Sequence, residues 1–238
     1  MQRQFCPDEP EMMDRDGNDP IELEQDLQNL EIINRWFGGR PAVISMLRQF
    51  VEALHLREVT VIDLCTGYGD HPRAMTEWAS QQSPPIPIRI MAVDKQWDTL
   101  VSARRATPAD RPIFFVQADA RHLPFRDAAA DISLCSLALH HFSEDDAALI
   151  LTEARRVAAR GVGCMDLMRG RLAYAAVWLL TAMILRARMT RHDARVSVLR
   201  AFSKDEFQDI ANRAGWQKVW YNKLPWFRQS MLYLKDEA

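Results

Sequence analysis

The apolar positions of this chain change period twice. Between Leu23 and Phe37 they recur at three- and four-residue steps (Leu23, Leu27, Leu30, Ile33, Phe37), which is one face of a helix. Asp19–Pro20 can open that helix, because Asp caps free backbone N–H groups and Pro fits a first turn. Gly38–Gly39 closes it. Pro41 starts a second helix whose buried face is Val43, Met46, Leu47, Phe50, Val51 and Leu54. From Val59 the pattern becomes short apolar runs separated by helical spacers. Val59–Leu64, Ile88–Val93, Ile113–Ala118, Ile132–Leu137 and Val162–Leu167 read as buried strands, with Pro72–Ser80, Gln96–Arg105 and Ser143–Ala159 as helices between them. Such alternation predicts an α/β fold, a parallel sheet with helices on both faces. Trp216–Leu224 and Phe227–Lys235 leave no room for a helix between them and read as an antiparallel hairpin appended to the sheet. Residues 1–18 have no periodicity and read as a mobile acidic leader. The expected organisation is leader 1–18, N-terminal helices 19–55 capping the site, and a main domain 56–238.

One segment breaks the alternation. Leu172–Leu185 is apolar at 13 of 14 positions, with Arg169 and Arg171 before it and Arg186, Arg188 and Arg191 after it. At 1.5 Å per residue it spans about 21 Å, short of a hydrocarbon core of about 30 Å. It does not read as a membrane crossing. Three readings stay open: a helix buried between sheet and lid, a wall of a substrate pocket, and an interfacial membrane helix.

Composition narrows the class. The chain has 238 residues, 48% of them apolar and 26% charged, the balance of an ordinary globule. One large core suffices for that length. Cys6, Cys65, Cys135 and Cys164 are far apart, without a CxxC pair or a Cys/His cluster, so neither a metal module nor a disulfide framework is expected and a reducing, cytoplasmic setting is. The net charge of −2 hides an asymmetry: residues 1–33 hold ten acids against Arg3 and Arg15, whereas residues 155–200 hold ten arginines against Asp166 and Asp193. The basic stretch reads as solvated surface or as a face for an anionic partner.

The first strand runs into Asp63-Leu64-Cys65-Thr66-Gly67-Tyr68-Gly69-Asp70. A glycine turn between strand and helix lets a ligand approach the backbone. A nicotinamide fingerprint would need glycine where Pro72 stands, and no Gly-Lys-Ser/Thr phosphate loop exists. Asp94 closes the second strand, where a carboxylate can accept both hydroxyls of a ribose. Asp119 closes the third, where one can accept from an adenine amino group. Together these make an adenosine site without a phosphate site.

At this point the chain resembles the class I S-adenosylmethionine-dependent methyltransferases, in particular the small-molecule group that includes quinone-biosynthesis methyltransferases. The resemblance runs from about Val59 to the C-terminus. It rests on Val61–Gly69, on Ala92-Val93-Asp94, on Gln117-Ala118-Asp119-Ala120 with Leu123-Pro124-Phe125, and on Asp131–Ser136 leading to Leu139-His140-His141-Phe142. It implies a Rossmann-like, seven-stranded sheet with the last strand antiparallel and S-adenosyl-L-methionine as cofactor. Cofactor contacts are implied for Asp63, Cys65, Thr66, Gly67, Tyr68, Gly69, Asp94, Lys95, Asp119, Ala120 and Ser136. Cys65 departs from the family's usual glycine; a small thiol there reads as a spacer.

Methyl transfer from a sulfonium is an in-line displacement, so alignment and exclusion of water dominate. A phenolic acceptor gains from a general base. His140, His141 and His192 are the candidates, His192 beside the carboxylate of Asp193. The resemblance places acceptor contacts in the N-terminal helices and in residues 168–202. Arg35, Trp36, Phe37, Tyr174 and Trp178 are the residues there suited to a flat apolar ring. No metal is expected. The leading expectation is a cytoplasmic enzyme acting on a hydrophobic, aromatic or phenolic small molecule. RNA or protein methylation through residues 155–200 is a second reading, and a non-catalytic cofactor-binding or interaction domain a third. Nucleic acid is the less favoured partner, peripheral membrane contact stays open, and the oligomeric state is not legible.

Overall fold

The computed structural model describes residues 1–15, 17–184 and 187–235. Seven strands, β1 (Val59–Leu64), β2 (Ile88–Asp94), β3 (Ile113–Gln117), β4 (Ala130–Ser136), β5 (Ala158–Leu167), β6 (Val219–Leu224) and β7 (Arg228–Leu234), form one sheet ordered β3-β2-β1-β4-β5-β7-β6. β1 to β5 run parallel, and β7 lies antiparallel to both β5 and β6. The sequence direction of the sheet reverses between β1 and β4. In an open parallel sheet, the carboxyl ends of the strands at that switch point are where a crevice opens.

Side chains alternate across each strand, and the two faces bury different helices. Val61 and Ile90 join one core with Val43, Met46, Leu47 and Phe50 of α2 (Gly39–Ala53) and Met75 and Trp78 of α3 (Asp70–Ser80). Ile62 and Leu64 join the other with Ile150 and Leu151 of α5 (Glu144–Val157) and Phe207 and Ile210 of α8 (Lys204–Arg213). Phe50 lies so close to β5 that a Cβ at Gly161 would come within 2.5 Å of its ring, which is why that strand needs glycine there. Ser203 and Glu206 form a reciprocal capping box that opens α8, and Ser143 caps α5 through the Asp146 N–H. α4 (Trp97–Ala106) follows β2.

α1 (Pro20–Trp36) begins where Asp19 accepts from the N–H groups of Ile21 and Glu22. α6 (Arg171–Ile184) and α7 (Arg188–Arg200) follow β5 as a helical pair beside α1. Leu185, the end of the expected apolar segment, lies outside the described residues.

The chain start departs from the expected mobile leader. Arg3 donates to the carbonyls of Arg200 and Phe142 (2.6 Å each), and Met12 and Met13 donate their N–H groups to the Asp193 carboxylate (2.9 Å each). Glu11 is buried, and a single 3-10 turn spans Met12–Asp14. The acidic start of the chain thus meets the basic α7 within one molecule. Two opposite charge blocks that each read as surface in the sequence cover one another in part.

Candidate active site

The turn after β1 is built from residues with positive φ: Cys65 (+54°), Gly67 (+55°) and Gly69 (+71°). Thr66 donates its hydroxyl to Asp63 at 2.6 Å, and its N–H bonds the Val93 carbonyl at 2.9 Å. Burial pushes the Asp63 carboxyl up to about 6. A Cβ at Gly67 would meet no atom within 4 Å, so the bare backbone faces open space. Asp94 at the end of β2 fixes this turn from the other side. Its Oδ2 accepts from Gly67 N (2.9 Å) and its Oδ1 from Gln96 N (3.0 Å), while burial raises its pKa.

That open space is part of a cavity of about 880 Å³, toward the upper end of the roughly 300–1,000 Å³ typical of small-molecule sites. Cys65, Thr66, Gly67, Tyr68, Asp94, Lys95, Asp119, Ala120 and Ser136 all line it. Asp63 and Gly69 stand behind the turn, outside the lining. Ser136 is buried with its hydroxyl unpartnered, a polar group left over for a ligand. Asp119 is less free than the sequence implied. Arg121 holds both its oxygens (2.9 and 2.6 Å) and drives its pKa far down, and Lys95 Nζ stands at 3.7 Å. Tyr68 is committed to Glu24 through a 2.6 Å hydrogen bond.

Past β4 the chain turns inward at Leu139–His141. His140 is buried, and its Nδ1 lies 2.6 Å from Oδ1 of Asp166, a fully buried carboxylate at the carboxyl end of β5. Asp166 also accepts the N–H groups of His140 (2.9 Å) and Leu167 (2.7 Å). A carboxylate only accepts, so Nδ1 turns a hydrogen toward Asp166, and in that tautomer of the neutral ring the lone pair is on Nε2. The His141 ring lies 4.4 Å from that of His140, with its Nδ1 2.6 Å from Asp14. Burial opposes a charge on His141, but Glu11 and Asp14 outweigh it and hold the imidazole up at about 10. Glu11, His140 and His141 gather one ligand atom each within 4.8 Å.

The far end of the cavity is apolar. Leu27, Leu30 and Ile33 of α1, with Phe37 just past its end, line the cavity with Ala176, Val177 and Leu180 of α6 and with Trp226 and Phe227 from the β6–β7 turn. Phe37 packs edge-on against Trp226 at 5.3 Å. The face of α1 that looked like core is therefore chamber wall over its second half, while Leu23 and Leu27 pack on Tyr68.

Several expected residues lie elsewhere. Trp36 is 70% exposed, and Arg35 is exposed beside a separate small pocket with Glu31 and Arg40. Tyr174 and Trp178 are outside the cavity lining; helical phase turns Trp178 outward, where Arg195 covers its ring at 5.2 Å. His192 is exposed at the surface, with Nδ1 on Asp193 at 2.8 Å, and does not reach the cavity. Sequence reasoning missed Asp166, although an acid at the end of a parallel strand was the same signal that singled out Asp94 and Asp119. It also missed Glu11 and Asp14, for which no local signal exists.

Residues 62–165 match the family model described as methyltransferase domain. No curated protein matches the chain. Among solved structures, the magnesium protoporphyrin IX methyltransferase of Synechocystis PCC 6803 with bound SAH is similar at 12% identity and TM-score 0.58, with 84% of each chain covered. Human N-acetylserotonin methyltransferase in complex with SAM is similar at 15% identity and TM-score 0.65, over 92% of this chain and 57% of that one. A SAM-dependent methyltransferase from Aquifex aeolicus is similar at 14% identity and TM-score 0.60, over 91% and 98%. At these identities the structures speak for the fold, and the family match for the domain. Residues 62–165 carry a methyltransferase domain, and the sheet around it has the fold of the S-adenosylmethionine-dependent methyltransferases it is similar to.

Proposed function

We propose that this protein methylates a hydrophobic, aromatic or phenolic small molecule in the cytoplasm. The observation that carries this reading is continuity: one cavity joins the β1 turn and Asp94 to a chamber walled by Leu30, Ile33, Phe37, Val177 and Leu180. Gly67, Asp94, Asp119, Ala120 and Ser136 hold the cofactor. The bare backbone of Gly67, the unpartnered Ser136 hydroxyl and the strand-end carboxylates suit an adenosine group with no phosphate. Lys95, beside Asp119 at the rim, completes that edge.

When bound, S-adenosylmethionine supplies an electrophilic methyl group on its sulfonium. The chain's own residues supply the rest. The apolar wall excludes water and orients a flat acceptor. His140 takes the acceptor's proton on Nε2, while Asp166, held by three N–H donors, fixes the ring and stabilises the imidazolium that forms. Two small-molecule enzymes among the similar structures, the protoporphyrin and the N-acetylserotonin methyltransferases, fit an acceptor of this class.

The test is transfer of a labelled methyl group to a panel of phenols and other aromatic acceptors, with RNA and protein as parallel substrates. Label in an organic-extractable product, lost in His140→Gln while S-adenosylhomocysteine still binds, is the expected result. Label confined to RNA or protein would overturn the small-molecule reading.

A further inference from the structure

The inner face of α6 walls the cavity, and its outer face is bare. Leu172, Leu179 and Trp178 are 78%, 55% and 49% exposed, and Ala175 and Ala182 are exposed beside them. At 3.6 residues per turn these positions cover about a third of the helix circumference. They form one continuous apolar stripe, which is different from scattered surface leucines. Cations border it. Arg171 shares the stripe's face at its N-terminal end. On α7, Arg188, Arg191 and Arg195 recur at three- and four-residue steps, and Arg195 joins the two rows. Its guanidinium lies 5.2 Å over the Trp178 ring, and its Nε donates to the Thr181 hydroxyl at 3.0 Å. No acid on these helices offsets the row: Asp166 and Asp193 are the only acids between residues 155 and 200, and both are buried.

We propose that this face seats on an anionic phospholipid bilayer, with α6 lying in the headgroup plane and its apolar stripe turned to the acyl chains. Fourteen residues make a helix of about 21 Å, and no described helix is long and apolar enough to cross a membrane. Leucine and tryptophan turned outward on α6, with the arginines of α7 alongside, give the helix pair the apolar and basic surfaces that a single membrane-surface helix carries on its two faces. A second copy of this chain is the poorer occupant, because stacking two such faces would set the arginine rows of both copies against each other. A bilayer of negative headgroups meets the same arginines with opposite charge. Seated there, α6 has lipid on one side and the chamber on the other. An apolar acceptor dissolved in the bilayer then reaches the chamber without crossing water. This last step rests on the methyltransferase reading of the chamber; the docking itself does not.

The test is co-sedimentation of the full chain with vesicles of phosphatidylcholine plus phosphatidylglycerol, against phosphatidylcholine alone. Binding to the anionic vesicles should weaken with salt, and by about tenfold in the double variant Leu172→Gln, Leu179→Gln. Arg188→Gln, Arg191→Gln should lose the preference for anionic lipid. All four positions are exposed, and both variants should bind S-adenosylhomocysteine as the parent does. Absence of binding to anionic vesicles, or equal binding by the leucine variant, overturns the proposal. So does a dimer dispersed by the same leucine variant without vesicle binding. Vesicle binding by a protein that fails to bind S-adenosylhomocysteine would count against the cofactor site and leave the docking standing.

Discussion

At the scale of single residues, Cys65 shows how a departure from a family pattern can be read physically. Its φ of +54° is the conformation that glycine adopts freely. A side chain there costs about 1–2 kcal/mol. The cost is accepted because the thiol packs toward Cys135, and that contact together with burial raises its pKa well above the usual thiol range. It is therefore a small packed group and not a nucleophile. Cys65→Gly should keep S-adenosylhomocysteine affinity within a few-fold, whereas Cys65→Leu should abolish binding by displacing the turn. Full affinity in the leucine variant, measured by calorimetry, would mean that the turn does not touch the cofactor. Asp94 carries a heavier prediction than its sequence position alone implied, since it also holds Gly67 N and Gln96 N. On the proposed function, Asp94→Ala removes a charge-assisted ribose contact and, through the lost bonds to Gly67 N and Gln96 N, loosens the turn together. Affinity should fall by about tenfold or more, a loss of roughly 1.5–3 kcal/mol, in a protein that still folds.

At the scale of elements, legibility followed burial. β1 to β4 were readable because each centres on a short apolar run, and β7 because the hairpin had no room for a helix; β5 was readable only from Val162, since its start, Ala158–Gly161, has no apolar run and Ala158–Ala159 continued the helical pattern. α6 shows the opposite case. A helix apolar on every side has no stripe from which to read its orientation, so the sequence could not say whether Trp178 or Val177 faces inward. The structure turns Val177 and Leu180 to the chamber and Trp178 outward. The expectation for Trp178 changes accordingly. A core or pocket residue would cost about 3–5 kcal/mol when truncated. Half exposed and carrying one contact with Arg195, Trp178→Ala should cost less than about 1.5 kcal/mol and leave cofactor affinity alone. Leu180→Ala is the variant that should raise the acceptor KM, with S-adenosylhomocysteine binding unchanged. A thermal melt and the two titrations separate these outcomes; a selective acceptor effect from Trp178 and none from Leu180 would reverse the assignment of faces.

At the scale of the whole molecule, the chain start is the feature the sequence hid most completely. Its partners, Phe142, Asp193 and Arg200, lie more than a hundred residues away, and residues 1–18 carry no periodicity that would announce packing. Yet Glu11, Met13 and Asp14 line the cavity, so the segment forms part of its wall. The Asp14–His141 pair ties that wall to pH in a definite direction. The folded value of His141, about 10, lies above its ordinary 6.5, so its contribution is complete below about pH 6.5 and fades as pH rises through 10. The net effect on Asp14 is a pKa below its ordinary 3.8: burial alone would raise it, but His141 pulls it down. Its contribution is complete above about pH 4 and is lost only as pH falls through its folded value. The pair therefore stabilises most between about pH 4 and 6.5 and weakens steadily toward pH 10. In Asp14→Asn, His141 should titrate at lower pH by NMR, and stability near pH 6 should fall by about 1.5–3 kcal/mol, the worth of a hydrogen bond between charged groups. The variant should also lose part of the parent's decline between pH 7 and 10, because one carboxylate no longer holds the imidazolium. Faster proteolysis after Arg3 or Arg15 in the variant would show the segment leaving the cavity wall. An unmoved His141 titration with an unchanged pH–stability slope would show that the acidic start is held by its contacts to α7 alone.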